Sequence, residues 1–327
     1  PTLVDAILYF KGMRKLRGYA QSYLDLRGPD GRLHPDFVQS GYGEETSDDS
    51  SQAPVTGRFS CRGPNLQNQP KNDPRYEAWV HRLRDCLIPT PGWSLISADV
   101  EQEEPRIMAF INKDRAMLAD FLAGIPIYAP MGEIIYGRPI SKSGDPSQWY
   151  NTKTFFLALC YGADYKKLHE IDPSIPLEQA KEGYTRLMAR YPGLIQHYAS
   201  TVKQLRATGQ VRDWFQRRRM IPKVYAMNRW DAQAGYREGA NFLIQAPAAS
   251  VMKVAMRHVW DQLHAAGLEA RILITVHDEL VLECPDMELD KVSKILYRMT
   301  EGIMPISLPV ELKVGKSWGD MSVGRAA

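Results

Sequence analysis

Apolar residues form short, unbroken or alternating runs in two parts of the chain, which predicts β-strands. Residues 93–99 (WSLISAD) form an apolar run that ends in a carboxylate, as expected of a buried strand. Residues 270–284 (ARILITVHDELVLEC) hold two apolar runs on either side of a histidine and two acids. That arrangement predicts a β-hairpin with the acids at its tip, and residues 306–314 predict one further β-segment.

The helical period governs the start and the long middle of the chain. Residues 1–20 predict an amphipathic helix, and most segments from residue 107 to about residue 270 have the helical period. Glycine and proline interrupt this stretch at residues 124–126, 137–139, 172–173 and 191–193. Residues 28–74 are rich in Gly, Pro, Ser, Asn and Asp, which predicts loops and short hairpins. Since strands lie on both sides of the helical stretch, we expect an α+β fold in which a helical lobe interrupts one sheet.

Composition narrows the class of protein only slightly. The 327 residues are 44% hydrophobic and 24% charged, as in an ordinary globular protein. Charged residues or prolines interrupt each apolar run before it could span a membrane, so we expect no membrane partner. The net charge of +3 means that any affinity for nucleic acid must come from clustered charge. The four cysteines show no CxxC pair and no histidine at zinc spacing. We therefore expect neither disulfides nor a zinc site. The same cysteine usage fits a reducing compartment, so we expect the protein in the cytoplasm, or in the host cytoplasm if the chain is viral.

Two acids at the ends of predicted strands are the first candidates for chemistry. Asp99 ends the first apolar run, and Asp278 lies at the hairpin tip almost 180 residues later. If both strands belong to one sheet, the two carboxylates meet at its edge. Carboxylates that hold paired Mg²⁺ ions suit phosphoryl transfer. Acids at strand ends are more often solvated turn residues, so this pair alone does not identify a site.

Six short motifs strengthen the interpretation. They occur in the order and at the spacing of family A DNA polymerases, the bacterial polymerase I and bacteriophage type, which this sequence resembles over residues 1 to about 320. DVEQEEPR at residues 99–106 resembles DYSQIELR, and residues 276–279 match VHDE. The other four are TGRFS with PNLQN (residues 56–60 and 64–68), Lys153 with Tyr161 and Gly162, FQRRR with Pro222 (residues 215–222), and QAPAA with Met252 and Lys253 (residues 245–253).

The resemblance implies a right-hand polymerase fold with an antiparallel palm sheet and a helical fingers lobe. The expected division is a truncated base of the thumb at residues 1–30, the first part of the palm at 31–106, the fingers at 107–236 and the second part of the palm at 237–327. Because the chain starts at Pro1 without a methionine, we expect a longer parent protein, with an exonuclease domain upstream.

The same resemblance assigns catalytic roles. Asp99 and Asp278 would be the ligands of two Mg²⁺ ions, with Mn²⁺ as a substitute, and the main-chain carbonyl of Val100 would complete the metal site. Glu279 would be a supporting acid near the primer end. Lys153 would contact the incoming triphosphate as a compact cation. A lone lysine on a helix is otherwise usually a solvated residue.

A second implied set binds the incoming nucleotide: Gln102, Glu104, Tyr128, Lys153, Leu157 and Tyr161. Glu104 corresponds to a steric gate that leaves no room for a ribose 2′-hydroxyl. Its alternative is an acid that interacts with the dipole of a helix beginning near Pro105. Lys153, Leu157 and Tyr161 have i, i+4, i+8 spacing and so share a helix face, which could equally belong to the core.

Four positions depart from the family pattern, and the first is Pro105, a helix-start variant in place of the usual leucine. Leu157 stands where Phe or Tyr is usual, which removes ring stacking on the nucleotide. Trp149 replaces an arginine that binds the outer phosphates, and Arg138 or Lys142 are candidates to compensate for it. Tyr128 stands where many members have a histidine that contacts phosphate.

A third implied set contacts the primer–template duplex: Arg58, Asn65, Gln67, Asn68, Arg237, Asn241, Gln245 and His277. Amides and an arginine suit the acceptors that every base pair shows in the minor groove. The asparagines between residues 58 and 68 are also typical of turns. The basic groups at residues 11–17 and 217–219 can neutralise phosphates without reading sequence.

The sequence therefore predicts a monomeric, template-directed DNA polymerase that adds dNTPs to a primer 3′-hydroxyl, with the primer–template duplex and dNTPs as partners. A single-subunit RNA polymerase is the nearest rival, but it needs a small residue at the position of Glu104. A catalytically inactive DNA-binding module is the rival from another class, and the presence of Asp99, Asp278 and Lys153 argues against it. Reverse transcription is a secondary alternative. These residues contain no pattern of a 3′–5′ exonuclease, so we expect no proofreading by this chain.

Overall fold

The structure, a computed structural model, describes residues 3–39, 54–69 and 77–323. Its helices and strands in chain order are α1 (Leu3–Asp25), β1 (Asp36–Val38), β2 (Ser60–Arg62), α2 (Glu77–Asp85), β3 (Trp93–Val100), α3 (Glu103–Ile111), α4 (Arg115–Leu122), α5 (Tyr128–Tyr136), α6 (Pro146–Cys160), α7 (Tyr165–Ile171), α8 (Leu177–Arg190), α9 (Pro192–Thr208), β4 (Gln210–Arg212), β5 (Arg218–Met220), α10 (Arg229–Ala265), β6 (Arg271–Val276), β7 (Glu279–Pro285), α11 (Leu289–Tyr297), β8 (Val310–Gly315) and β9 (Ser322–Val323). Short 3-10 helices lie at Pro222–Tyr225 and Asp286–Glu288.

One antiparallel sheet joins strands from both sides of the helical stretch, as the sequence predicts. Its order is β6-β7-β3-β8-β9. β3 pairs with β7 from Trp93↔Pro285 to Asp99↔Glu279, so the two apolar runs that are far apart in sequence are direct neighbours. β3 is almost wholly buried because it is central, and its apolar run reflects burial on both faces. The predicted last strand begins at Val310 rather than at residue 306.

The helix boundaries follow the predicted interruptions. α5 ends at Gly137, whose φ of 69° is a left-handed conformation that favours glycine. α9 begins at Pro192, where a missing N–H costs nothing. The stretch predicted to be mostly helical contains one exception. Gly209 (φ 66°) ends α9, and β4 and β5 then form a short hairpin. Strands of three residues are too short to give a periodic signal, so the pattern could not predict them.

The described part of the chain forms two compact units. Unit 1 takes its residues from 1–101, 249–304 and 308–327, and unit 2 from 102–248 and 305–307. The large sheet belongs to unit 1, and α3 to α9 with β4 and β5 belong to unit 2. The assignment of thumb, palm and fingers to residues 1–30, 31–106, 107–236 and 237–327 stays a prediction.

The predicted amphipathic helix at the start of the chain exists, but only two of its residues, both in its second half, are buried. α1 continues to Asp25, and Leu16 and Tyr23 pack into the core of unit 1. In contrast, Leu3 is 78% exposed and Phe10 is 66% exposed. Apolar periodicity therefore predicted the helix correctly but not how much of its apolar face is covered.

A buried carboxylate anchors the loops around the sheet of unit 1. The side chain of Glu283, on β7, is fully buried. It accepts hydrogen bonds from Arg32 Nη2 (3.1 and 3.2 Å) and from both the main-chain nitrogen and the hydroxyl of Thr90 (3.0 Å each). Burial alone would raise the pKa of the Glu283 carboxyl, but the donors on Arg32 and Thr90 outweigh it and hold that pKa below its ordinary value.

Glu283→Gln should lower the free energy of unfolding at neutral pH by about 2 kcal/mol, the usual contribution of hydrogen bonds to a charged group. Because the folded-state pKa of Glu283 is lowered, its contribution is complete above the unfolded-state pKa and is lost as the pH falls through the folded-state value. We expect the difference between native and variant proteins to shrink as urea unfolding is repeated at increasingly acidic pH. The exposed Glu182 on α8 offers the matched control, and a Glu283→Gln effect that does not depend on pH would contradict the assignment.

Candidate active site

The acids at the centre of the large sheet lie opposite one another in neighbouring strands. Asp99, near the end of β3, is directly opposite Glu279 of β7 on one side and Glu311 of β8 on the other. Side chains of directly opposite residues lie on the same face of a sheet, and like charges in such pairs are destabilising. This face therefore concentrates negative charge in a way that folding alone does not favour.

The hairpin between β6 and β7 brings Asp278 to the same place. The main-chain nitrogen of Val100 donates to the carbonyl oxygen of Asp278 at 2.9 Å, so the residues after Asp99 and before Glu279 are in direct contact. The connection consists of His277 and Asp278 alone, since Val276 pairs with Glu279. His277 has a φ of 57°, which is uncommon outside glycine and is found often at functional sites.

The electrostatics of Asp99 reflect this crowding. Burial raises the pKa of its carboxyl to about 7, and the negative charges of Asp278 and Glu279 add to the shift. Lys313 acts in the opposite direction and makes an ion pair with Glu311 at 2.7 Å. Glu279 accepts a hydrogen bond from the Ser97 hydroxyl. A cation near Asp99 would relieve the repulsion that raises its pKa.

The donors present fit a divalent metal ion that is shared with substrate. In the parts of the chain that the structure describes, no three His, Cys, Asp or Glu side chains form a ready metal-binding group. Mg²⁺ commonly takes only one or two protein carboxylates and completes its shell with water and substrate phosphates. Asp99 and Asp278, with a main-chain carbonyl, are a set of this kind.

Two residues of this cluster were not predicted from the sequence. Glu311 and Lys313 lie on β8 opposite Asp99 and Ser97. The signal was present, because the two charged residues alternate with apolar ones in the predicted last strand. The pattern of charged and apolar residues does not give the pairing register of β8 with β3, which places Glu311 directly opposite Asp99.

Three of the predicted duplex contacts gather in unit 1. Arg58, Gln67 and His277 line one small cavity together with Met252. The amide of Gln67 donates to the carbonyl oxygen of Thr275 at 2.8 Å, which ties this loop to β6.

The neighbouring asparagines of that loop have structural contacts. The side-chain oxygen of Asn65 accepts from the main-chain nitrogens of Gln67 and Asn68 at 3.1 Å each, which is turn chemistry. The carbonyl of Asn68 accepts from the Tyr19 hydroxyl at 2.5 Å. Turn formation therefore accounts for the Asn65 side chain, while contact with DNA stays a prediction for all four loop residues.

Helix α6 of unit 2 carries the predicted nucleotide-binding stripe. Lys153 is exposed, and Leu157 is half-buried against the core of unit 2. Tyr161 is the residue that ends the helix rather than part of it. Its hydroxyl donates to Asn241 Oδ1 at 2.9 Å, and Asn241 Nδ2 donates to Gln245 Oε1 at 3.2 Å. The structure thus links a predicted nucleotide-binding residue to two predicted duplex-binding residues by hydrogen bonds within one unit.

Glu104 lies in the first turn of α3, as both interpretations of it require. Burial raises the pKa of the Cys160 thiol, and the negative charge of Glu104 adds to that shift, so Glu104 faces the end of α6. Met108 Sδ lies 3.2 Å from Cys160 Sγ one helical turn further along α3.

Gln102 caps another element, because its side-chain oxygen accepts from the main-chain nitrogen of Ile127 at 3.0 Å, just before α5.

Two of the positions that depart from the family pattern pack against each other. Tyr128 is only 6% exposed, and its ring meets Trp149 edge to face at 5.8 Å between ring centres. Arg138 makes an ion pair with Asp145 at 2.7 Å, whereas Lys142 is exposed. Of the two basic residues suggested to replace the arginine, Lys142 is thus the one without a carboxylate partner in the described chain.

An antiparallel sheet whose strands lie on both sides of a helical unit in the sequence fits a right-hand polymerase fold. The structure is similar to the POL domain of Pol1 from M. smegmatis in complex with DNA primer-template and dNTP. The TM-score is 0.83 at 29% identity, over 94% of this chain and 52% of that one. The family model for DNA polymerase family A matches residues 1–320. The chain belongs to DNA polymerase family A.

Relatives of known name agree with the family. The thermostable DNA polymerase I of Thermus aquaticus is 31% identical over 315 residues, which are 96% of this chain and 36% of the relative. DNA polymerase I of Treponema pallidum is 32% identical over 321 residues, 97% of this chain and 30% of the relative. The chain spans about a third of the length of these relatives. None of the helices in the described ranges is both long and apolar enough to cross a membrane.

Proposed function

We propose that this chain is a template-directed DNA polymerase that transfers nucleotides from dNTPs to the 3′-hydroxyl of a primer. The observation that carries the proposal is the meeting of Asp99 and Asp278 at the β3–β7 pair in the middle of the large sheet of unit 1. Membership of family A supports it, as does the likeness to a polymerase domain whose own structure holds primer-template and dNTP.

Asp99, Asp278 and the carbonyl of Val100 would hold two Mg²⁺ ions, with Mn²⁺ as a substitute. When bound, such ions supply activation of the attacking hydroxyl and screening of the leaving pyrophosphate. The repulsion between Asp99 and its neighbouring acids supports this role, because an apo site with these charges favours a cation.

The remaining residues would position the substrates. The exposed Lys153 would neutralise triphosphate charge as pyrophosphate leaves. Arg58, Gln67 and His277 would contact the duplex from their shared cavity in unit 1. Tyr161 with Asn241 and Gln245 would form a hydrogen-bonded surface against the nascent base pair. Reverse transcription, the lack of proofreading, the monomeric state and an upstream exonuclease domain stay predictions from the sequence.

Primer extension with all four dNTPs tests the proposal. We expect extension with Mg²⁺, continued synthesis with Mn²⁺ and none after chelation by EDTA. Full extension in EDTA would contradict the metal-dependent mechanism, whereas no extension under any condition would contradict the polymerase itself.

Leu157→Phe should raise the efficiency of nucleotide incorporation about fivefold or more, since stacking on a ring contributes ~1–3 kcal/mol per base. Leu157 is half-buried at the edge of the unit 2 core, so one side of a ring at this position would remain free. Leu157→Tyr should also increase the use of dideoxynucleotides. Single-nucleotide kcat/KM measures both effects. Leu157→Met, similar in volume but without a ring, is the control, and an equal gain in Leu157→Met would show that stacking is not the cause.

A further inference from the structure

Unit 1 contains an apolar cavity that the proposed polymerase site does not use. Its volume is about 670 Å³, which lies within the range of natural sites for small molecules. Buried side chains of the unit 1 core form part of its wall, namely Leu66, Leu95, Val281 and Trp318. All the residues that line the cavity belong to unit 1, and none of them is assigned to catalysis or to DNA.

Hydrogen bonds fix the two loops that line this cavity, residues 27–33 and 86–91. Arg32 Nη2 donates to the hydroxyl of Thr90 at 2.5 Å, and both residues donate to the buried carboxylate of Glu283. The first loop is also closed on itself, because the main-chain nitrogen of Gly28 donates to the carbonyl of Arg32 at 2.7 Å. The cavity is therefore preformed, as binding sites for small molecules usually are.

One cation that lines the cavity is left without a partner. The guanidinium of Arg27 makes no hydrogen bond or ion pair with the described part of the chain, and Arg27 is exposed. Arg32 is instead paired with Glu283 at 3.1 Å. The acid of the same loop, Asp30, pairs with His34 at 3.0 Å. Arg27 is thus free to bind an anion from solution.

Apolar side chains are exposed around the opening of the same cavity. Leu24, in the last turn of α1, is 70% exposed, and Ile88 of the second loop is 68% exposed. Both line the cavity. Exposed apolar surface at the opening of a concave site is typical of a surface that a ligand covers. A ligand that suits these walls has an apolar body and one negative charge.

We propose that this cavity binds a fatty-acid-like carboxylate. The hydrocarbon chain lies against the apolar walls, and the carboxylate pairs with Arg27, whose planar fork matches it in shape. Because Arg27 is exposed, its ion pair contributes little, and most of the affinity comes from burial of the chain. The charge then determines which end of the ligand stays at the opening. The inference goes beyond the proposed function and does not depend on it.

Protection of Cys86 measures occupancy of the cavity. Cys86 lines the cavity and is the one exposed residue among the four cysteines. Its rate of reaction with N-ethylmaleimide should fall in a saturable way as dodecanoate is added. Dodecanol, with the same chain but no charge, should protect about threefold to fivefold more weakly, and acetate should not protect. Titration calorimetry with dodecanoate should show the negative heat-capacity change of apolar burial.

Two variants separate the contributions of chain and charge. Ala20 is an exposed α1 residue that lines the cavity, so the ring of Ala20→Phe should weaken dodecanoate binding about tenfold or more by displacing two methylene groups. Ala6→Phe, on the exposed first half of α1, is the matched control. Arg27→Ala should weaken dodecanoate binding about threefold to fivefold and leave dodecanol binding unchanged. Arg17→Ala, also exposed on α1, should change neither.

Several results would overturn the proposal. They are unchanged Cys86 reactivity with dodecanoate, equal protection by dodecanoate and dodecanol, and equal losses in Ala20→Phe and Ala6→Phe. If Ala20→Phe lowers the melting temperature, Arg27→Ala decides: native dodecanoate binding in that variant rejects the site. A native dimer that Ala20→Phe converts to a monomer would also overturn the proposal, because a second copy of the chain would then occupy the cavity. Primer extension runs in parallel. If dodecanoate protects Cys86 but the native protein extends no primer, the proposed function fails and this inference stands.

Discussion

Replacing Asp99 with alanine is expected to lower primer extension at least ~10³-fold, the size of effect that follows loss of charge stabilisation in phosphoryl transfer. Asp278→Ala should do the same, because the contact between Val100 and Asp278 brings the two acids to one place. Duplex affinity should stay almost unchanged, since neither carboxylate neutralises a phosphate. The measurements are single-turnover extension and anisotropy with a labelled primer–template.

Stability measurements keep this prediction falsifiable. Asp99 is crowded by Asp278 and Glu279, so its removal should relieve repulsion and leave the melting temperature equal or higher. Asp261→Ala is the control for removal of an acid, because that residue is exposed on α10 and pairs only with a surface arginine in the described chain, Arg257. A folded Asp99→Ala protein with near-native extension would exclude the acid cluster as the catalytic site.

Shortening Glu104 is expected to relax the rejection of ribonucleotides by about a hundredfold, with a smaller loss in the use of dNTPs. Glu104 lies in the first turn of α3, where Pro105 fixes the backbone of the next residue. A carboxylate held there would exclude a 2′-hydroxyl by overlap, which is discrimination built against the wrong substrate. The kcat/KM values for dATP and ATP measure it in native and Glu104→Ala proteins.

The competing interpretation is that Glu104 only stabilises its helix, by ~0.3–1 kcal/mol. Glu178, an acid in the first turn of α8, provides the matched variant for that effect. If Glu104→Ala lowers the melting temperature as Glu178→Ala does and keeps the native ratio of dATP to ATP, the residue is structural and the gate assignment is wrong.

The sheet and its acids could be predicted from the sequence because buried strands are apolar runs and because the acids belong to recognisable motifs. β3 and β7 are apolar runs since they lie in the middle of the sheet, and Asp99 and Asp278 stand out where those runs stop. The motifs then related two acids that are far apart in the chain. Periodicity alone would have left each of them an ordinary turn residue.

Features that depend on strand register and on packing could not be predicted from the sequence. Glu311 is part of the acid cluster only because β8 pairs with β3 in one particular register. The bond between Tyr161 and Asn241 joins residues 80 positions apart and requires the packing of α6 near α10. The pairing of Arg212 with Arg218 depends on a hairpin of three-residue strands that has no periodic signal. In each case the sequence shows the residue type but not which residue lies next to it in the folded structure.

The most direct test of the central claim is templated copying by the native protein. A labelled primer is annealed to templates that differ only in the first unpaired base, and each is incubated with Mg²⁺ and one dNTP at a time. We predict extension by one nucleotide only when the dNTP complements the template base, and none in the Asp99→Ala protein. Extension that ignores the template base, or equal activity in the native and Asp99→Ala proteins, would contradict a template-directed polymerase acting through these acids.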